Sequence, residues 1–85
     1  MEVFFHRNFV KQYKKLPEKV QIQFIERLQI FQTDGAIRML HIHTLRGEFS
    51  MYTSMNVNSD VRALYVQSGD TVTFEKIGTH SELYG

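Results

Sequence analysis

The stretch Val61-Arg62-Ala63-Leu64-Tyr65-Val66-Gln67-Ser68-Gly69-Asp70-Thr71-Val72-Thr73-Phe74-Glu75-Lys76-Ile77 decides the fold. Apolar and β-branched residues alternate through both halves, and Ser68-Gly69-Asp70 between them is turn chemistry, so the stretch reads as two strands joined by a hairpin. Gly78 stops the second strand in this reading. The chain then closes with Thr79-His80-Ser81-Glu82-Leu83-Tyr84-Gly85, where His80 and Tyr84 are four apart and share one side of a single helical turn. An arginine, a lysine, a histidine and a tyrosine are thereby gathered at one end of the sequence. A polar, aromatic tail of this kind is anchored or used.

Working outward, Asn58-Ser59-Asp60 is a turn cluster. Residues 48–57 before it alternate as a strand, with Phe49, Met51, Thr53, Met55 and Val57 on one face and Ser50, Tyr52, Ser54 and Asn56 on the other. The first face is expected to meet helices. Further back, Val20, Phe24, Leu28 and Phe31 recur at helical spacing with Ile25 on the flank, and Thr33-Asp34-Gly35 closes that helix. Ile22 and Ile30 fall off the stripe and read as flank packing, with a partner surface as the alternative. A shorter helix carries Phe9, Val10, Tyr13 and Leu16, with Asn8 as its N-cap and Pro17 as its end. Lys11, Lys14, Lys15 and Lys19 form a solvated face or a phosphate-tracking one. Residues 36–40 are compatible with a short helical turn, and residues 2–6 read as a first strand ending at a structural or solvated His6.

The directions are strand up, helix down, helix up, strand down, then the hairpin. This is an α+β domain of order β-α-α-β-β-β, a helical hairpin on one face of a largely antiparallel, twisted sheet whose other face is open. Eighty-five residues make one domain, 1–85, with no repeats or linkers. A chain of this size buries about 60% of the surface it exposes when unfolded, so it has one core and little margin. Its seven Phe and four Tyr supply the bulk for that core.

Composition narrows the chemistry. There is no cysteine, which excludes disulfides, thiolate metal sites and a cysteine nucleophile, and fits a reducing compartment. No apolar run approaches the roughly 18 residues of a spanning helix, and the start Met-Glu-Val-Phe-Phe-His is no secretory signal. The expected location is the cytoplasm, away from membranes. Residues 1–40 hold seven Lys and Arg against four acids, whereas residues 41–85 hold three against five. The basic surface therefore belongs to the helical half, and the C-terminal half is not a basic patch by composition. His41 and His43 alternate and point the same way on an extended segment, but two ligands do not make a metal site, so no metal or other cofactor is expected.

The closing Ile77-Gly78-Thr79-His80-Ser81-Glu82-Leu83-Tyr84, the strand Arg62-x-Leu64-Tyr65-Val66, the Gly69-Asp70 hairpin, Leu45-Arg46-Gly47 and, more loosely, Lys11-x-Tyr13-Lys14-Lys15-Leu16-Pro17 resemble the RelE/ParE toxin superfamily. The likeness is strongest to its histidine-bearing YafQ-type branch and covers nearly the whole chain. It implies the RelE-like order of elements, which periodicity gives independently. It also implies a toxin of a type II toxin–antitoxin system, a metal-independent endoribonuclease that cuts mRNA on the ribosome and is silenced by a cognate antitoxin. By this resemblance His80 is the general acid that protonates the leaving 5′-oxygen, and the RNA's own 2′-hydroxyl attacks the phosphate to leave a 2′,3′-cyclic phosphate. Arg62 and Lys76 hold the phosphate oxygens. His43 or Asp60 serves as base, Tyr84 stacks on a base, and Arg46 and His41 contact the RNA. YafQ-type toxins carry a further histidine on the second strand and an Asp-Trp pair in the next turn, where this chain has Met55 and, near the second place, Ser59-Asp60. Those departures leave a ParE-like toxin that binds DNA gyrase or another protein without cleavage as the alternative.

Overall fold

The computed structural model describes residues 1–34 and 40–84. Strand β1 (Glu2–Phe5) leads into α1 (Arg7–Lys14) and α2 (Glu18–Thr33), followed by β2 (His43–Thr44), β3 (Thr53–Asn56), β4 (Val61–Ser68), β5 (Thr71–Thr79) and a closing helix α3 (His80–Tyr84). Among the described residues the strands form one sheet of order β1-β5-β4-β3-β2, antiparallel except for the β1–β5 pair. The expected elements occur in order, with the short strand β2 added ahead of the strand expected at 48–57, which is itself shortened. Residues 48–57 are not a continuous strand: Gly47 adopts φ +66 and starts a 3-10 turn (Gly47–Phe49), held by Ser50 N donating to Gly47 O and Tyr52 N to Phe49 O. No atom lies within 4 Å of a Cβ at Gly47, so glycine is required there by its left-handed backbone and not by space. The extra strand reverses everything after it. This is why β5 runs parallel to β1 and not against it, as a count of four strands gives.

Helix α1 starts two residues earlier than the sequence indicates. His6, not Asn8, is the N-cap, and its Nδ1 accepts from Asn8 N at 3.0 Å. Pro17 caps α2, its carbonyl accepting from Val20 N and Gln21 N. The link between the helices is tied by Tyr13 Oη donating to Gln21 O and by Gln21 Nε2 donating to Tyr13 O and Leu16 O. Phe24 and Phe31 bring the α2 stripe onto the sheet, with Val20 and Leu28 half-buried beside them. Phe24 packs edge-on to Phe74 with ring centres 5.4 Å apart and meets Phe9 at 5.3 Å, so α1, α2 and β5 share one aromatic contact. Ile30 packs against this core, but Ile22 and Ile25 are exposed. Asp34 is the C-cap of α2; Gly35 and most of the expected turn at 36–40 lie outside the described residues, with Leu40 fully buried at its end.

Two features of β5 set up the opposite face. Between Leu64/Lys76 and Tyr65/Phe74 the register skips Glu75, a β-bulge that puts two residues of β5 against one of β4. Phe74 and Ile77 both enter the helix-face core, while Glu75 meets Tyr52 and Lys76 meets Phe49 and Tyr52 on the open face. Gly78 does not end the strand: it pairs with Arg62, and β5 runs on to Thr79. A Cβ at Gly78 would stand 3.1 Å from Glu82 Oε1 and 3.2 Å from Glu82 Cβ, so its bare backbone lets α3 fold back close to the sheet.

Candidate functional site

On the open face the register aligns side chains in rows. His43 pairs with Ser54, Ser54 with Leu64 and Leu64 with Lys76; next to that row, Asn56 pairs with Arg62 and Arg62 with Gly78. Tyr52, Leu64 and Leu83 are buried on this side, with Leu45, Phe49, Val66 and Tyr84 packed against them. This second, smaller cluster carries a cleft of about 290 Å³. β2 and the residues after it line it with His43, Leu45 and Arg46, and the 3-10 turn adds Phe49. Ser54 comes from β3, Arg62 from β4, and His80 and Tyr84 from α3.

A capping box seats α3. Thr79 Oγ1 accepts from Glu82 N at 3.2 Å, and Glu82 Oε1 accepts from Thr79 N at 2.7 Å, so both ends of Thr79-x-x-Glu82 are satisfied reciprocally. The single turn that follows brings the His80 and Tyr84 rings to 4.8 Å, and Tyr84 stands edge-on to Phe49 at 4.9 Å. Burial pushes the Tyr84 hydroxyl above its ordinary pKa, and the nearby Arg62 charge opposes that shift. Arg62 is anchored at one end, its Nη1 donating to Asn58 O at 2.9 Å and Ser59 O at 3.1 Å.

His43 is oriented by its neighbour. His43 Nδ1 lies 2.9 Å from His41 O, and a carbonyl only accepts, so in the neutral ring the proton sits on Nδ1 and Nε2 carries the lone pair. His41 itself has φ 49, the left-handed region that few non-glycine residues enter, and that conformation accompanies the carbonyl's approach to His43.

Of the residues expected from sequence, His43, Arg46, Arg62, His80 and Tyr84 converge on this cleft. Three do not line it. Lys76 lies on the same face, its Nζ 5.8 Å from the Phe49 ring centre and 5.6 Å from that of Tyr52. Asp60 is exposed in the β3–β4 turn, where its N–H donates to Asn58 Oδ1, and the His41 ring meets that of His43 at 5.3 Å. Ser54 and Phe49 line it without having been singled out. Alternation through 48–57 puts Ser54 on the correct face but Phe49 on the helix face, because the left-handed Gly47 and its 3-10 turn break the strand before β3. Met55 is fully buried in the helix-face core, so the β3 side chains on the cleft's side of the sheet are Ser54 and Asn56.

The charge pattern also differs from the linear count. The cleft lining contains two guanidinium groups and no carboxylate. Three of the five acids of the C-terminal half are engaged elsewhere: Asp70 pairs with the N-terminal amine at 3.1 Å, Glu75 accepts from Tyr52 Oη at 3.3 Å, and Glu82 caps α3. A chain of net charge +1 thus presents a locally cationic cleft, suited to an anion. No group of three or more metal-binding side chains occurs among the described residues. No helix among them is long and apolar enough to cross a membrane.

No protein-family model and no curated protein matches the chain. Solved structures do. YafQ from E. coli strain BL21(DE3) superposes with a TM-score of 0.76 at 20% identity, covering 99% of this chain and 98% of YafQ. In the E. coli DinJ-YafQ toxin-antitoxin complex the corresponding values are 0.74, 22%, 99% and 97%. The YoeB/ParE toxin from Agrobacterium tumefaciens gives 0.75 at 13% identity, over 94% of this chain and 99% of that one. The chain shares the fold of these toxin structures. Within that fold it is similar to YafQ across nearly its whole length.

Proposed function

We propose that this chain is the toxin of a type II toxin–antitoxin pair and that it cleaves mRNA on the ribosome. The observation that carries the reading is the convergence of His43, Arg46, Arg62, His80 and Tyr84 on a carboxylate-free cleft. Phosphodiester transfer needs an acid, a base and fixed positive charge around a phosphate. His43, with its Nε2 lone pair, takes the proton of the 2′-hydroxyl; Asp60, outside the cleft, is not needed for that step. O2′ then attacks phosphorus, the bond to the 5′-oxygen breaks, and His80 delivers a proton to that oxygen. The products are a 2′,3′-cyclic phosphate and a 5′-hydroxyl. Arg62, held on the β3–β4 turn by one nitrogen, offers the rest of its fork to the nonbridging oxygens, with Arg46 beside it. Tyr84 stacks on a base.

A cognate antitoxin belongs to this reading, because an uncontrolled nuclease harms its own host. The DinJ-YafQ complex, a toxin with its antitoxin in the same fold, supports it. The helix side offers an apolar groove of about 280 Å³ lined by Phe5, Phe9, Val10, Tyr13, Phe24 and Ile25, with Lys14 at its edge. Exposed Ile22 remains a candidate contact; packed Ile30 does not.

The test is primer extension on translated mRNA with growth followed in parallel. Cuts ending in 2′,3′-cyclic phosphate, unaffected by chelator, are the expected result. Growth arrest without cuts overturns the nuclease reading and moves the chain to the ParE-like, protein-binding one.

A further inference from the structure

Two side-chain atoms in the described part of the protein are buried and lack a hydrogen-bond partner: Ser54 Oγ and Asn56 Oδ1. Both belong to β3, two residues apart on the cleft's side of the sheet. Ser54 is itself a lining residue at 1% exposure. Burying a hydroxyl without a partner is unfavourable, so a cleft that keeps one is incomplete until a ligand supplies the missing bond. The atoms also restrict what that ligand can be. Asn56 Oδ1 only accepts, and an ionised phosphodiester only accepts, so phosphate oxygens cannot satisfy it. A hydroxyl both donates and accepts. Phosphate is instead matched by Arg46 and Arg62, whereas Ser54 lies directly across the β2–β3 ladder from His43.

We propose that Ser54 recognises the ribose hydroxyl of the bound strand and so makes the cleft select RNA over DNA. The proposal rests on the nuclease reading and adds to it a specificity-determining residue. His43, across the ladder from Ser54, is exposed, so this side of the cleft is open to an entering strand. Ser54 then donates its hydroxyl proton to the lone pair of the same O2′ from which His43 Nε2 removes a proton. Asn56 Oδ1, one step along the strand and opposite Arg62, is the second acceptor available to a sugar or base donor.

Binding of a short single-stranded oligoribonucleotide, and of the deoxyribose oligomer of the same sequence, is measured by fluorescence anisotropy in the His80→Ala background, which keeps the RNA intact. The parent should favour RNA about tenfold, the size of one neutral hydrogen bond. Ser54→Ala should erase that preference and leave DNA binding unchanged. Its melting temperature should stay level or rise, because an unpartnered buried hydroxyl has been removed. Retained RNA preference in Ser54→Ala, or a lowered melting temperature showing that the hydroxyl already has a partner, overturns the role of Ser54 while leaving the nuclease reading intact. Failure of the parent to bind either oligomer while the unsubstituted chain still cuts translated mRNA overturns recognition of the hydroxyl by this cleft alone; failure of both assays removes the RNA reading and this inference together.

Discussion

The two faces of this sheet are built to different rules. The helix face is closed: Phe9, Phe24, Phe31, Tyr65 and Phe74 interlock under α1 and α2, and the buried side chains there are apolar or, like Tyr65, aromatic. The open face has a smaller cluster around Tyr52, Leu64 and Leu83 and spends the rest of its area on histidines, arginines and two orphaned polar atoms. The same strands serve both, because alternate residues point to opposite sides. The lesson is one of separation. Stability is concentrated where nothing polar is needed, which leaves the other face free to carry groups that would be unfavourable in a core.

That contrast can be broken by substitution, and the largest effect should come from the closed face. Phe24→Ala removes the ring that meets Phe5, Phe9, Tyr13 and Phe74 and should destabilise by roughly 3–5 kcal/mol in urea unfolding. A loss below about 1 kcal/mol would place the core elsewhere. On the open face Arg62→Ala should reduce cleavage by about 10²- to 10³-fold, the usual weight of a charge-stabilising donor. Arg62→Lys should recover only part, since the fork is gone. Unfolding of the arginine variants should differ little from the parent, and a large loss of stability would show that the anchor to Asn58 and Ser59 is structural.

A smaller effect tests where the faces are coupled. Thr79→Ala breaks the capping box that seats α3 and should cost about 1 kcal/mol in stability. Cleavage should fall with it, because His80 and Tyr84 ride on that turn. The smallest effect concerns pH. Burial raises the pKa of Tyr65 above its ordinary value of 10.0, so the native state keeps this proton at higher pH than the unfolded chain does. Its contribution is fully present below the unfolded value and is lost as pH climbs through the native one. Tyr65→Phe should therefore lose less stability than the parent in the alkaline range above about pH 10, and equal losses would exclude Tyr65 as a source.

The closed face was largely legible in the sequence, because Phe24, Phe31, Phe9, Val72 and Phe74 announce their periods directly. The open face was legible by residue type, not by geometry. Its five converging groups follow from a family resemblance, and the face of Ser54 follows from alternation. Three local events hid the rest. The left-handed Gly47 broke a strand that alternation alone extends through 48–57, and so sent Phe49 to the wrong face. The bulge at Glu75 shifted the phase of β5, visible afterwards as apolar Phe74 and Ile77 three apart. Linear charge counting missed the removal of Asp70, Glu75 and Glu82 into contacts away from the cleft. Thr79-x-x-Glu82 was a readable capping signal, obscured by taking Gly78 as the end of the strand.

The most direct test of the separation is His80→Ala, with cleavage of translated mRNA and urea unfolding measured on the same preparation. His80 is exposed and makes its ring contact only with Tyr84 among the described residues. Cleavage should fall by about 10²- to 10⁴-fold, the contribution of a positioned acid, with the unfolding midpoint unchanged. Cleavage at the parent rate in a folded His80→Ala protein would contradict the account.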